Sequence, residues 1–539
     1  MKLGLLSIFA ISALFFYSCS SIKQPDSVYE TPDFTMEDVK KEEIKRIEAL
    51  LDKNSVQALW RATLVKDSDI QAKCFAAVVT EFEKEISNKN WFAALRLHKS
   101  LAAVGYEGVG NLSKSRKELE SLCLENVPGV KMKSSSSSDK VSSYIAGTVT
   151  VWVDRGIRIH NGMGYADRVI GSGFFISENG YIITNHHVIA DLVDPKTEGY
   201  SRLYIKLAAD SDTRIPAKVV GWDPVLDLAL LKAEVDAAYV FSLGSSEDLD
   251  VGDKIYAIGS PVGLERTLTS GIVSATGRKL FTLGSVMQID AAVNSGNSGG
   301  PCIDRNGNVQ AIVFAGMLQY EGLNFAIPVE YLKSELPALY SGGKVEHSWI
   351  ASYGHTKKEE GKDVGLEVQY VMPGGSAHRA GISVGDVIIA ADGQPVKTLE
   401  DMQNILIRNA ARGIILVKYK NANNEEKECS VYLASRPENP GYVIYSSDII
   451  ANSFVPIYGM KLVATSTTSK KKYSIEQIIS GSVADESGFS ENDPVDIRTI
   501  KFDDEKTSVY AEIYAKNRKK GYLDVSMAVV AALDSPYYF

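Results

Sequence analysis

Apolar positions recur with helical spacing in the first quarter of the chain. Ile70, Cys74, Val78, Phe82 and Ile86 fall every four residues and so share one helical face. Thr35-Met36-Glu37-Asp38, Ser68-Asp69-Ile70-Gln71 and Ser115-Arg116-Lys117-Glu118 each have the form of a capping box, which predicts a helix opening at each. No clean repeat of about 34 residues follows, so a small all-α domain is expected over 33–130. Five consecutive serines then predict a linker over 131–143, because such a tract cannot bury apolar surface. Beyond it the grammar changes. Short β-rich runs at 145–153, 180–184, 203–207 and 254–258 alternate with glycine turns, the pattern of an all-β barrel or sandwich.

Composition narrows the picture. At roughly 150 residues per domain, 539 residues suggest three or four domains. An apolar fraction of 45% excludes a wholly disordered or collagen-like chain. A net charge of −9 without a basic stripe argues against a nucleic-acid partner. Lys2 precedes an apolar run over 3–16 and then Tyr17-Ser18-Cys19-Ser20-Ser21, which is signal-peptide grammar and short for a membrane span. Residues 1–19 resemble a bacterial lipoprotein signal. Phe16 and Tyr17 depart from its usual leucine and small residue. That resemblance implies a lipidated Cys19 and a place in the bacterial cell envelope, at a membrane surface facing the periplasm or outside. Plain secretion is the alternative. Export permits disulfides, and Cys74 and Cys123 share a candidate domain, so they either pair or remain buried thiols.

Three segments carry candidate chemistry. Thr184-Asn185-His186-His187-Val188 supplies a histidine, and Asp223-Pro224-Val225-Leu226-Asp227 an aspartate. Asn294-Ser295-Gly296-Asn297-Ser298-Gly299-Gly300 supplies a serine. A serine hydroxyl is a weak nucleophile at neutral pH and needs a neighbouring base. Histidine suits that task, and an aspartate fixes its tautomer. The oxyanion that forms needs inward N–H groups, for which Gly296, Asn297 and Ser298 are the candidates. Each segment is weak alone; together, in a β-rich chain, they point to acyl transfer.

These motifs resemble the HtrA/Deg family of chymotrypsin-fold serine proteases. Further matches are Gly171-Ser172-Gly173-Phe174-Phe175-Ile176, the stretch 259–277 and Asn324-Phe325-Ala326-Ile327-Pro328. The resemblance implies a mainly β chain with a chymotrypsin-like double β-barrel over 144–340 and a His187, Asp227 and Ser298 triad. The base lies three residues after Thr184, which selects His187 over His186. Asn297, where digestive relatives hold an aspartate, has no charge for a new N-terminus, so zymogen cleavage is not expected. Ala292 brings no carboxylate to the substrate pocket. The pocket wall falls at Val313, Phe314 and Ala315, with Phe314 narrowing it. Loops around 280–285 are candidates for controlling activity.

Pro373-Gly374-Gly375-Ser376-Ala377 and Val384-Gly385-Asp386-Val387-Ile388 resemble a PDZ domain, over 346–436. Its expected peptide groove comprises Ile350, Ala351 and Ser352 at the carboxylate loop and Met402, Ile405 and Leu406 on a helix; the loop lacks the family's glycine. Gly481, Gly488 and Asp493 repeat Gly374, Gly381 and Asp386, with Asn492 in place of Gly385. They imply a degenerate second PDZ-like α+β domain over 455–535. The function implied is an envelope serine endopeptidase for unfolded or damaged proteins. It needs no cofactor or metal, is controlled by C-terminal peptides at the first PDZ, and forms a homotrimer or higher multiple. The alternative is a non-catalytic chaperone or adhesin.

Overall fold

A computed structural model describes residues 36–127, 130–132, 141–194, 201–210, 212–260, 267–280, 282–294, 296–316, 323–465, 472–517 and 523–539. The signal segment with Cys19, the residue Thr35, the five serines and the 261–266 part of one matched motif lie outside them. No helix among the described residues is long and apolar enough to cross a membrane.

The chain forms two compact units, divided after Cys74. In the first, helices Met36–Leu50 and Ser55–Val65 are joined by Arg61, whose guanidinium donates to both carboxylate oxygens of Glu43, at 2.5 and 2.8 Å. Helix Ser68–Ser87 is opened by Asp67, whose carboxylate accepts the N–H groups of Asp69 and Ile70. The expected Ser68 box is therefore displaced by one residue. A carboxylate is well placed at the positive end of a helix, so Asp67 takes the capping position. In the second unit, helix Arg116–Glu125 carries the expected reciprocal box between Ser115 and Glu118. Helices Trp91–Ala103 and Arg116–Glu125 fall in the second unit, with the β domains. The four described cysteines are free thiols, so the Cys74–Cys123 pairing is not formed.

The linker reading also shrinks. Lys131–Met132 is a short strand pairing in parallel with Ser242–Leu243, and Val141–Ala146 is a helix that takes Ile145 out of the expected first strand. Then come two closed six-stranded barrels. The first orders its strands Ile215–Asp223, Arg202–Lys206, Thr148–His160, Met163–Phe175, Tyr181–Thr184 and Leu228–Ala233, and closes by pairing the last with the first. The second runs Val309–Gly316, Pro301–Ile303, Lys254–Gly259, Thr267–Arg278, Val286–Ile289 and Asn324–Pro328, and closes likewise. Alternation explains the filling. Val149, Val151 and Val153 point into the first barrel, and Ile255, Ala257, Met287 and Ile289 into the second.

Two sheet domains follow. The first contains strands Ser352–Glu359, Lys362–Val371, Val387–Ala391, Ile414–Lys420 and Glu426–Tyr432, with helix Leu399–Ile407 against them. The second contains Met460–Ala464, Lys472–Ile478, Pro494–Phe502, Ser508–Asn517 and Leu523–Ala532. Its core also takes Phe454, Ile457 and Tyr458 from helix Ile450–Tyr458, so a boundary at 455 falls inside an element of the domain. The two repeat one turn closely. Gly385 N–H donates to Val368 O as Asn492 N–H does to Ile475 O, and the Asp386 and Asp493 carboxylates accept from Ser383 and Ser490 N–H. Asn492 adopts φ 66°, the left-handed conformation of Gly385 that asparagine tolerates.

A buried polar cluster ties the first barrel to the segment leading into the first of these two sheet domains. His347 Nε2 lies 2.9 Å from Asp223 Oδ2, and Glu335 is buried beside them. Burial pushes the Glu335 carboxyl up to about 8, which His347 partly offsets and the Asp223 charge reinforces. Burial alone would lower His347, but the Asp223 charge and hydrogen bond carry it upward on balance. Both groups hold a proton more tightly folded than unfolded. Their stabilisation is present at low pH and lost as pH rises through about 8. Thermal melts should therefore show stability falling from pH 5 to 8. Glu335→Gln should flatten that fall and gain roughly 1–3 kcal/mol at pH 8.

Candidate active site

His187 is the second residue of helix His186–Val193, three residues beyond the end of the strand at Thr184. Its Nδ1 lies 2.7 Å from Asp227 Oδ2, and its own backbone N–H donates to Asp227 Oδ1 at 2.7 Å. His187 is thus held twice by one carboxylate, once at its ring and once at its backbone. Asp227 is itself held in a strained place, at φ 54°. Its carbonyl accepts from Asn185 Nδ2 at 2.9 Å and from the His186 N–H at 3.2 Å, which fixes that conformation. Asp223 prepares the turn by accepting the Val225 and Leu226 N–H groups. His186 contributes only its backbone to Asp227, and burial lowers its ring's basicity.

Ser298 comes from the other barrel. Its carbonyl accepts from Ser172 N–H at 2.7 Å, and the Ser172 hydroxyl donates to Gly296 O at 2.6 Å while accepting from Ser260 N–H at 2.9 Å. Ser172 therefore knots the serine turn to the first barrel. Gly299 adopts φ 85° against the Ser172 carbonyl and the Thr184 hydroxyl, which a Cβ would strike. The motif flagged Gly171-Ser172-Gly173, but not that this hydroxyl carries the junction; nor did spacing single out Asn185.

The Ser298 hydroxyl donates to Phe314 O at 3.1 Å. The Phe314 ring lies edge-on to His187, with centroids 6.3 Å apart. The N–H groups of Gly296, at φ 101°, and Ser298 carry no hydrogen bond among the described residues. The Asn297 N–H does, to Asn294 O at 3.0 Å, which corrects its place among the oxyanion donors. Val313 is likewise misplaced in the pocket. It is fully buried in the second barrel's core, because alternation turns it inward and Phe314 outward. Ala292 is exposed, and its carbonyl accepts from Thr269 Oγ1 at 2.9 Å. Ala315 continues that strand, paired to Phe325. Of the expected control loop at 280–285, residue 281 lies outside the described residues and the 283–285 end is fastened. Leu283 is buried, Ser285 Oγ donates to Glu400 Oε1 at 2.7 Å, and Ser285 N–H donates to Tyr331 Oη. Glu400 lies on helix Leu399–Ile407, and a cleft of about 310 Å3 opens between that helix and the second barrel.

At the first PDZ domain, Ala351 adopts φ 66°, so alanine takes the conformation that the missing glycine would have given. Ile350, Met402, Ile405 and Leu406 line one apolar cluster, with Ser352 buried at its rim.

A trypsin-like peptidase domain model matches residues 171–312 and a PDZ domain model 367–421. A model described as a TP0546 family PDZ domain matches 441–533, and a domain of unknown function (DUF8517) matches 38–123. A probable periplasmic serine endoprotease DegP-like of Pseudomonas fulva is 38% identical over 252 residues, 44% of this chain and 50% of the relative. The Marinomonas protein of the same description is 36% identical over 290 residues, 51% and 59% respectively. The chain thus spans about half the length of the curated relatives it matches. A solved structure titled HtrA-type protease AlgW with decapeptide aligns at 28% identity with a TM-score of 0.46, covering 55% of this chain and 98% of that one.

Replacing Ser172 with alanine strips two buried backbone groups of their partner. Urea melts should show a loss of roughly 1–3 kcal/mol. Turnover should fall by about tenfold to a hundredfold at nearly unchanged KM, since the serine turn would drift from the base.

Proposed function

We propose that this chain, a member of the HtrA/Deg family of serine proteases, is a serine endopeptidase that cuts unfolded or damaged proteins. The observation that carries the reading is the double hold of one carboxylate on His187, across the barrel junction from Ser298. Ser298 attacks the scissile carbonyl, after its hydroxyl turns from Phe314 O to the free imidazole nitrogen. His187 takes the proton and later gives it to the leaving amine. Asp227 keeps the tautomer and stabilises the imidazolium. The N–H groups of Gly296 and Ser298 receive the oxyanion. The relatives named as endoproteases support hydrolysis over the non-catalytic alternative.

The same reading covers setting and control. Cys19 carries a lipid anchor that keeps the protein on the periplasmic or outer face of an envelope membrane. The protease domains assemble into a homotrimer or higher multiple, and peptides at the first PDZ bias activity. Among the domain boundaries, we retain 346–436 for that PDZ. The pocket, left to Ala292, Phe314 and Ala315, takes small or medium aliphatic residues before the cut, such as Val and Ala.

Casein digestion tests the chemistry. Ser298→Ala and His187→Ala should each lower kcat on the order of 10⁴-fold or more, and His186→Ala far less. Full activity in His187→Ala would remove the assignment. Fragment mapping should show loose selectivity for aliphatic residues, since one methylene discriminates by only about 1–3 kcal/mol. Cuts concentrated after Lys or Arg would refute the pocket.

A further inference from the structure

The first PDZ groove is occupied by the chain itself. Residues 536–539 run along strand Ser352–Glu359 as an added antiparallel strand. Ser352 N–H donates to Phe539 O and Phe539 N–H to Ser352 O, both at 3.0 Å; Gly354 N–H donates to Tyr537 O at 3.2 Å. On the opposite wall, Gln403 Nε2 donates to Pro536 O at 2.6 Å. These are the contacts by which an extended peptide augments a sheet edge, and here both partners belong to one chain.

Side chains alternate as the added strand requires. Phe539 is 1% exposed and sits in the cluster of Ile350, Met402 and Leu406. Tyr537 stacks on His355, with ring centroids 4.0 Å apart. Tyr538 turns the other way, and its hydroxyl donates to Pro456 O at 3.1 Å, on a helix of the second PDZ-like domain.

That second domain has the form of a presenter. Between its strands Pro494–Phe502 and Ser508–Asn517 stands only a short turn, where the first domain carries helix Leu399–Ile407 between Gln394–Pro395 and Ile414–Lys420. It therefore has no helical wall for a groove of its own. Just past its last strand, Leu533 instead anchors in its core, and Asp534 is clamped by both terminal nitrogens of Arg436. The next five residues reach the neighbouring groove.

We propose that the first PDZ domain is self-liganded. Its resident ligand is the segment 536–539 of the same chain, delivered by the second PDZ-like domain, and an outside peptide enters only by displacing it. A tethered segment acts at an effective concentration on the order of 1 mM. A groove with an intrinsic Kd of about 10 μM would then be open about 1% of the time, which weakens an outside peptide roughly a hundredfold. The inference extends the peptide-binding part of the proposed function and does not need hydrolysis, so it is tested on a Ser298→Ala chain.

The probe is a fluorescein-labelled peptide of sequence Ser-Pro-Tyr-Tyr-Phe, read by anisotropy. Against the Ser298→Ala chain it should bind weakly. Adding Phe539→Asp should tighten it by at least about thirtyfold, with Tm checked to show that the fold is kept. Equal affinities for the two chains would overturn the proposal. A probe affinity that rises toward that of the Phe539→Asp chain as the protein is diluted would assign the groove to a second copy, and would overturn it too. Hydrogen exchange on the Ser298→Ala chain needs no change at the segment. A saturating unlabelled peptide should leave the Ser352 and Gly354 amides protected while the chain's own Phe539 amide loses protection. An own Phe539 amide that stays protected while the peptide is bound would equally refute displacement.

Discussion

The position of Ser298 relative to His187 depends on one small knot of hydrogen bonds. The two residues come from different barrels, and neither barrel alone fixes the distance between them. Ser172 does so by engaging Ser298 O with its N–H and Gly296 O with its hydroxyl, while Ser260 N–H closes the set. Gly299 allows the approach because it has no Cβ to strike the first barrel. The rest of the site follows. The serine turn is seated, its Gly296 and Ser298 N–H groups are left without partners among the described residues, and the Asp227 carboxylate holds the imidazole.

A second buried group does for the domains what Ser172 does for the barrels. Asp223 stands at the end of a first-barrel strand, Glu335 on helix Val329–Ser341 and His347 on the segment entering the first PDZ domain. Packing three ionisable groups out of water is costly unless they share protons and hydrogen bonds. The same Asp223 also shapes the turn that leads to Asp227, so the domain joint and the aspartate that holds His187 rest on one carboxylate. His347 O accepts from Arg436 N–H, and Arg436 holds Asp534, so a continuous set of polar contacts runs on to the segment lying in the PDZ groove.

The two PDZ-like domains show how a repeat can diverge in use. Both keep the glycine-rich turn and the aspartate that braces it. Only the first keeps the helix that turns a sheet edge into a groove. The first is also linked to the second barrel through the other side of that helix, where Ser285 meets Glu400 and Tyr331 Oη meets Asn404. One helix thus faces the chain's own C-terminal segment on one side and a barrel loop on the other.

The sequence by itself determined the local features. Capping at Ser115, the β-rich runs, the left-handed glycine positions and the order of His187, Asp227 and Ser298 were legible because short-range sterics and hydrogen bonding set them. The PDZ repeat was legible for the same reason. What lay beyond it were contacts between residues far apart in the chain. Asp67 took the cap from Ser68, Asn297 N–H turned to Asn294 O, and Val313 turned into a core, each decided by which neighbour the fold supplied. Ser172 at the barrel junction and Phe539 in a groove nearly two hundred residues upstream are the clearest cases. Spacing along a chain specifies which groups a turn or helix can hold, but only closure of the barrels and docking of the domains decides which distant donor meets which acceptor.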